Sequence, residues 1–142
     1  MARVIEGRPL VASAASGRML VSDEPLSFWG GYDAATGEII DRRHPLTGMM
    51  AAGRVLALPG SRGSSTTTAV LLEAIRAGCA PAAIIVKQPE HFFSLAAVVA
   101  EELYGSTIPI IQITADDFSR MKSGLRASIS SDGRIQIEEG DK

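Results

Sequence analysis

Residues 54–113 read RVLALPGSRGSSTTTAVLLEAIRAGCAPAAIIVKQPEHFFSLAAVVAEELYGSTIPIIQI, and the periodicities in this stretch set the fold class. Val55–Leu58 is a short, continuous apolar run closed by Pro59, the pattern of a strand buried on both faces. Ser65–Gly78 predicts a helix, with Val70, Leu71, Leu72 and Ile75 on one side and Glu73 and Arg76 on the other. Ala82–Val86 repeats the buried-strand pattern. Glu90–Tyr104 predicts a second helix, with Phe92, Leu95, Val98, Val99 and Leu103 at helical spacing. Pro109–Ile113 is a third strand. Strands alternating with helices at such short spacing imply parallel pairing through right-handed crossovers.

Outside this stretch the signals are β-type. Arg126–Ile129 and Arg134–Glu138 flank Ser130-Ser131-Asp132-Gly133, a hairpin whose Asp-Gly supplies the turn. Arg3–Glu6, Leu10–Ala12 and Arg18–Ser22 read as short strands separated by Gly7, Pro9 and Gly17. Between them and the βαβαβ stretch lies a long irregular segment, Asp23–Gly53, punctuated by Pro25, Gly30-Gly31, Gly37, Pro45 and Gly48, with Glu38–Asp41 as a small strand inside it. A segment of this length in a compact domain is usually functional or lies at an interface. The expected architecture is one domain over residues 1–142, of the α/β class, with a parallel βαβαβ core and a β-rich N-terminal layer. The 142 residues suit that count.

Composition narrows the function. Fourteen Lys and Arg against sixteen Asp and Glu give a net charge of −2. With a sequence pI near 5.7, this argues against a nucleic-acid partner, which calls for a basic face. Four Phe, two Tyr and one Trp make a poor base-stacking platform. The single cysteine, Cys79, excludes an intrachain disulfide, and with only His44 and His91 beside it the chain cannot build a Cys-ligated iron–sulfur cluster or structural zinc alone. No apolar run approaches the ~20 residues of a membrane helix. MARVIEGRPL lacks the apolar core of a signal peptide. A cytoplasmic protein that binds neither metal nor membrane by itself is expected.

Ligands of open parallel sheets sit beyond the carboxyl ends of the strands. There, after Val55–Leu58, the chain runs Pro59-Gly60-Ser61-Arg62-Gly63-Ser64-Ser65-Thr66-Thr67-Thr68. Glycines allow close backbone approach to a ligand. The helix start offers unpaired N–H groups and a positive dipole end, and Arg62 can grip a carboxylate or phosphate bidentately. Neither G-x-x-x-x-G-K-[ST] nor G-x-G-x-x-G is present, so the loop is neither a nucleotide P-loop nor a dinucleotide fingerprint. It reads as an anion cradle with reactive hydroxyls. Plain helix capping by Ser and Thr is the competing reading.

Gly7-Arg8-Pro9-Leu10-Val11, Glu24-Pro25-Leu26-Ser27-Phe28-Trp29-Gly30-Gly31, Gly37-Glu38-Ile39-Ile40-Asp41, Arg43-His44-Pro45-Leu46 and Gly63-Ser64-Ser65 together resemble the small, swivelling-domain subunit of aconitase X, from about Gly7 to Ile113. The resemblance implies a swivelling β/β/α fold. It implies a dehydratase subunit that works with a large subunit carrying an iron site or iron–sulfur cluster. Its implied substrate is a small carboxylate or phosphorylated molecule: cis-3-hydroxy-L-proline, with phosphomevalonate as the alternative. It also implies that Ser64, after Gly63, is the proton acceptor, with Arg62, Gly63 and Ser65 binding substrate. Gly60-Ser61 departs from the commoner glycine order of the family loop, which leaves Ser65 as a competitor for the role of base.

Two readings of another class stand beside this one. Swivelling domains also serve as phosphohistidine carriers, for which His44 is the candidate, and a non-catalytic domain that only closes over a partner is the third. Trp29 reads as a packed loop anchor, Cys79 as a small buried thiol, His91 as surface, and Glu101-Glu102 as solvated charge.

Overall fold

The computed structural model describes residues 2–62 and 65–138. Gly63 and Ser64, singled out above, lie outside the described residues. Among the described residues, eight strands and three helices follow in order: β1 (Ala2–Glu6), β2 (Arg8–Val11), β3 (Ala15–Val21), β4 (Val55–Ala57), α1 (Thr66–Ala77), β5 (Ala83–Val86), α2 (Phe92–Tyr104), β6 (Ile110–Gln112), α3 (Ala115–Phe118), β7 (Arg126–Ile129) and β8 (Arg134–Glu138). The expected β4-α1-β5-α2-β6 run is present, and its strands pair in parallel. Four-residue α3 is an addition, capped by Thr114, whose side chain accepts from the Asp117 N–H.

The strands form one sheet in the order β1-β8-β7-β3-β4-β5-β6-β2. β3 joins its two halves. Ala15–Arg18 pair antiparallel with β7, while Met19–Val21 pair parallel with β4. The N-terminal strands are thereby spread through the sheet, β1 against β8 and β2 against β6. The outermost strands, β1 and β2, are consecutive in the chain and separated only by Gly7. The sheet therefore curls until its ends meet, nearly a barrel, which leaves little exposed edge.

Strict alternation puts two cores on the two faces of the parallel half. Val55, Ala57, Ala83 and Ile85 point inward, where they meet Ile5, Met19, Ile111, Ala127, Ile129, Ile135 and Ile137 from the other strands. Leu56, Leu58, Ile84 and Val86 point outward into a second core with α1 and α2. The long segment 23–53 completes that outer core with Leu26, Phe28, Tyr32, Ile39, Leu46 and Ala51.

Glu38–Asp41 does not form a strand. The segment is held by isolated bridges, Tyr32 with Ile39 and Glu38 with Met50, because its turns give no run long enough for a ladder. α2 starts at Phe92 rather than Glu90, since Glu90 is turned to cap it. Its buried residues are Phe93, Ala96, Ala97 and Ala100, whereas Leu95, Val98 and Leu103 face outward. The small side chains let α2 lie close against its neighbours, which the periodicity of the larger ones did not indicate.

Candidate functional site

The loop after β4 is fixed by three sets of contacts. The Pro59 carbonyl accepts from the Lys87 and Gln88 N–H groups at 3.2 and 3.1 Å, tying the ends of β4 and β5 together. Ser61 forms a parallel bridge with Leu26, and the Arg62 N–H donates to the Leu26 carbonyl at 3.3 Å. On the other side, the Ser61 N–H and Oγ–H donate to Glu90 Oε1 at 3.0 and 2.8 Å. The second carboxylate oxygen of Glu90 accepts from the Phe92 and Phe93 N–H groups at 2.7 and 3.1 Å.

Ser65 is the N-cap residue of α1, already helical (φ −60°, ψ −14°), and its side chain makes no capping hydrogen bond. Its hydroxyl is exposed beside the first N–H groups of α1. Capping by that residue therefore does not account for the hydroxyls here. Arg62 is exposed and has no hydrogen-bond or ion-pair partner for its guanidinium among the described residues. Thr67 is wholly buried in the first turn, and its Oγ1 has no hydrogen-bond partner among the described residues. Thr68 Oγ1 donates to the Phe92 carbonyl at 3.0 Å, joining the start of α1 to the start of α2.

Beside the loop, beyond the carboxyl ends of β5 and β6, lie two adjoining cavities of about 330 and 300 Å³. Arg8 and Gln112 line both; the first also takes in Glu90 and Ser94, the second Lys87 and Thr114. Lys87 Nζ stands over the Phe118 ring, 5.3 Å from its centroid. The result is a mixed-charge groove, with the cations Arg8 and Lys87 and the carboxylates Glu6 and Glu90 on its walls, near the loop that carries Arg62. Its two cations can meet an anionic group of a ligand, with carboxylates on the same walls.

Sequence reasoning missed Arg8, Lys87 and Glu90 as members of this region. Glu90 had a signal, an acidic residue at a helix start. Arg8 and Lys87 had only their places at strand ends.

Other candidates fall outside the site. His44 is buried; its Nδ1 accepts from the Leu46 N–H at 3.1 Å and its Nε2 lies 3.1 Å from the Glu24 carbonyl, to which it donates. With both ring nitrogens engaged in holding the long segment, neither is presented for phosphoryl transfer, and the carrier reading loses its nucleophile. Trp29 is not a packed anchor. It is 69% exposed, and Phe28 does the anchoring, stacked on Tyr32 at 4.7 Å and tilted against Phe93 at 5.0 Å. A turn between adjacent aromatics decides which one enters the core, and composition does not reveal its direction. Cys79 is half-buried, its thiol donating to the Ala35 carbonyl at 3.1 Å. His91 is exposed at the N-cap of α2.

The groups with displaced titration are remote from the loop. Burial, and secondarily the nearby Cys79, push the Tyr32 phenol up. Hydrogen bonding to Arg76 lowers Glu73, and the Arg134 N–H and the Ser130 hydroxyl lower Asp132. Among the described residues no three His, Cys, Asp or Glu side chains gather as a metal-ligand set. These residues do not fit an iron site. No helix among the described residues is long and apolar enough to cross a membrane.

Comparison with known proteins places this geometry. The family model of the aconitase X swivel domain matches residues 4–137. The cis-3-hydroxy-L-proline dehydratase of Pseudomonas aeruginosa is 46% identical over 136 residues, which are 96% of this chain and 23% of that protein. The phosphomevalonate dehydratase small subunit of Thermococcus onnurineus is 36% identical over 136 residues, covering 95% of this chain and 98% of that subunit. The chain thus spans about a quarter of the length of the hydroxyproline dehydratases it matches. The crystal structure of Thermococcus kodakaraensis aconitase X in its holo-form matches with a TM-score of 0.85 at 31% identity, over 96% of this chain and 99% of the matched one. Since the family match runs from β1 through β8 and the fold agrees with that of a solved relative, the chain belongs to the aconitase X swivel-domain family.

Proposed function

We propose that this chain is the small subunit of an aconitase X-type dehydratase, a hydro-lyase, and that it supplies a serine general base for the elimination of water from cis-3-hydroxy-L-proline. The observation that carries the reading is a serine-rich loop at the amino end of α1, beside an arginine whose guanidinium has no partner among the described residues, in a chain 46% identical over 136 residues to a hydroxyproline dehydratase. Ser64 is the proposed base, with Ser65 the alternative. Arg62, Gly63 and Ser65 are the proposed substrate-binding residues.

An alcohol accepts a proton from carbon only if its oxygen carries anionic character, which water alone does not sustain near neutral pH. The N–H groups opening α1 and the Arg62 guanidinium favour such charge, and a site closed from water strengthens both. Arg62 would also orient the substrate's carboxylate. The departing hydroxide needs separate help, and a bound metal supplies Lewis acidity in reactions of this kind. The described residues assemble no ligand set for it, so the iron site is assigned to a large-subunit partner, and the complex to the cytoplasm.

Phosphomevalonate is the second substrate reading. It is favoured by the match over 98% of a phosphomevalonate dehydratase small subunit; the neighbouring groove offers the cations Arg8 and Lys87, with Glu6 beside them. The test is anaerobic co-expression with the large subunit and assay of water loss from both substrates. Turnover of hydroxyproline, abolished in Ser64→Ala or Ser65→Ala by about 10²–10⁴-fold and largely retained in His44→Gln, is expected. Normal assembly and near-normal turnover in both serine variants would leave a non-catalytic closing domain, and turnover by this chain alone would refute the split site.

A further inference from the structure

We propose that Glu90 is the positioning residue of the site loop: its carboxylate, shared between Ser61 and the amino end of α2, sets the orientation in which Arg62 is presented. The inference rests on the reading above, in which this loop carries the dehydration chemistry.

Glu90 is 7% exposed, a degree of burial that a carboxylate tolerates only when its charge is well satisfied. No Lys or Arg forms an ion pair with it among the described residues. Instead four donors converge on it, the Ser61 N–H and Oγ–H on one oxygen and the Phe92 and Phe93 N–H groups on the other. The positive end of α2 favours the anion. The same side chain therefore ends one helix and holds the loop that leads into another. Ser61 is gripped from this side by Glu90, and its neighbour Arg62 from the opposite side by the Leu26 carbonyl. Little freedom remains in the chain as it approaches Arg62.

The donor pattern makes the role separable from stability. Glutamine has a single acceptor oxygen, so Glu90→Gln satisfies one pair of donors and turns an NH2 group toward the other. Aspartate keeps both oxygens and is a favoured cap for N–H groups two and three residues ahead, but it is one methylene short of Ser61. Glu90→Asp therefore retains the α2 cap and releases the loop.

The test uses the full chain in assembly with its large subunit, and compares the parent with Glu90→Asp, Glu90→Gln and Ser61→Ala. Amide hydrogen exchange at Ser61 reports the clamp, and kcat and KM for hydroxyproline and phosphomevalonate report its consequence. In Glu90→Asp, Ser61 exchange is expected to accelerate about tenfold or more, with Tm lowered by no more than about 4 °C. On the turned-over substrate kcat falls about tenfold or more while KM moves less than about threefold, the mark of lost transition-state alignment. Ser61→Ala, which removes one of the four bonds, shifts kcat in the same direction by less and serves as the readout should Glu90→Asp fail to fold. Unchanged Ser61 exchange in Glu90→Asp overturns the proposal, as does a released Ser61 with kcat and KM at parent values. If the parent assembly dehydrates neither substrate, the dehydratase reading fails, and Ser61 exchange still decides whether Glu90 orients the loop.

Discussion

Tyr32 shows how one polar atom fastens the long segment to the body of the protein. Its ring lies stacked on Phe28, and its hydroxyl donates to the Cys79 carbonyl at 2.6 Å, reaching from the segment to the end of α1. Burial holds the phenol neutral well above its ordinary titration range. The unfolded chain releases that proton near pH 10, whereas the folded chain keeps it. Above that pH the unfolded state binds fewer protons, so stability falls as pH rises. The contribution is complete below about pH 10 and is lost progressively as pH climbs toward the raised folded value. Tyr32→Phe should therefore cost about 1 kcal/mol at pH 7 through the lost hydrogen bond, yet show a shallower decline between about pH 9.5 and 11. Urea melts across that range would check it, and parallel declines in parent and variant would refute the assignment. Thr67 makes the opposite case. Its buried hydroxyl has no partner among the described residues, and an unsatisfied polar atom costs about 1–3 kcal/mol. Thr67→Val should raise stability by about 1 kcal/mol in denaturant titration, and a loss of that size would mean that the hydroxyl is satisfied in solution.

Helix α2 presents to the core a face that its larger residues do not mark. Ala96, Ala97 and Ala100 are wholly buried, while Leu95 and Leu103 are 52% and 62% exposed. Ala97 also lends its carbonyl to the Thr107 hydroxyl at 2.7 Å. Ala97→Leu should thus overpack the contact and cost about 1–3 kcal/mol, while Leu95→Gln should stay within about 0.5 kcal/mol. Thermal melts of the isolated chain would show the contrast, and a reversed order would mean that the helix is rotated. The same element marks where local pattern stops being informative. β4, β5, β6 and α1 were readable because a strand buried on both faces, or a helix with charges on one side, writes its environment into adjacent residues. α2 has apolar residues on both sides, and closeness of packing, which is a property of its neighbours, chose the alanines. Segment 23–53 contributes Leu26, Phe28 and Ile39 to the core with no periodicity at all, because its conformation comes from turns and single bridges. The candidate site divides likewise. The loop through Arg62 and Ser65 was visible as one contiguous stretch. Glu90, Lys87 and Arg8 reach the region only through the fold, two from the strand and turn that follow α1 and one from the N-terminal strand β2, which pairs with β6.

Closure of the sheet depends on what stands at Gly7. The chain leaves β1, the neighbour of β8, and enters β2, the neighbour of β6, across this one residue. Its N–H donates to the Gly133 carbonyl in the β7–β8 turn at 3.0 Å. A Cβ at Gly7 would meet Ile111 Cγ2 and would stand 2.7 Å from the Gly133 carbonyl oxygen. The first contact is with a packed core side chain and the second with backbone, so neither can yield without shifting β6 or the hairpin. Gly48 provides the control. Its φ is +85° and nothing lies within 4 Å of its Cβ position, so Gly48→Ala meets only the left-handed backbone penalty of about 1 kcal/mol. Gly7→Ala should cost about 3 kcal/mol as an overpacked junction. Because Glu6 and Arg8 flank Gly7 and line the groove beyond β6, the same substitution should also weaken binding of a phosphate or carboxylate ligand there, an effect Gly48→Ala should lack. Denaturant melts of the two variants, with anion titration followed by amide shifts of Arg8 and Gln112, distinguish the cases. Equal costs for the two alanines would mean that the ends of the sheet are not joined at Gly7, and that the groove beside the site loop is shaped by something other than closure.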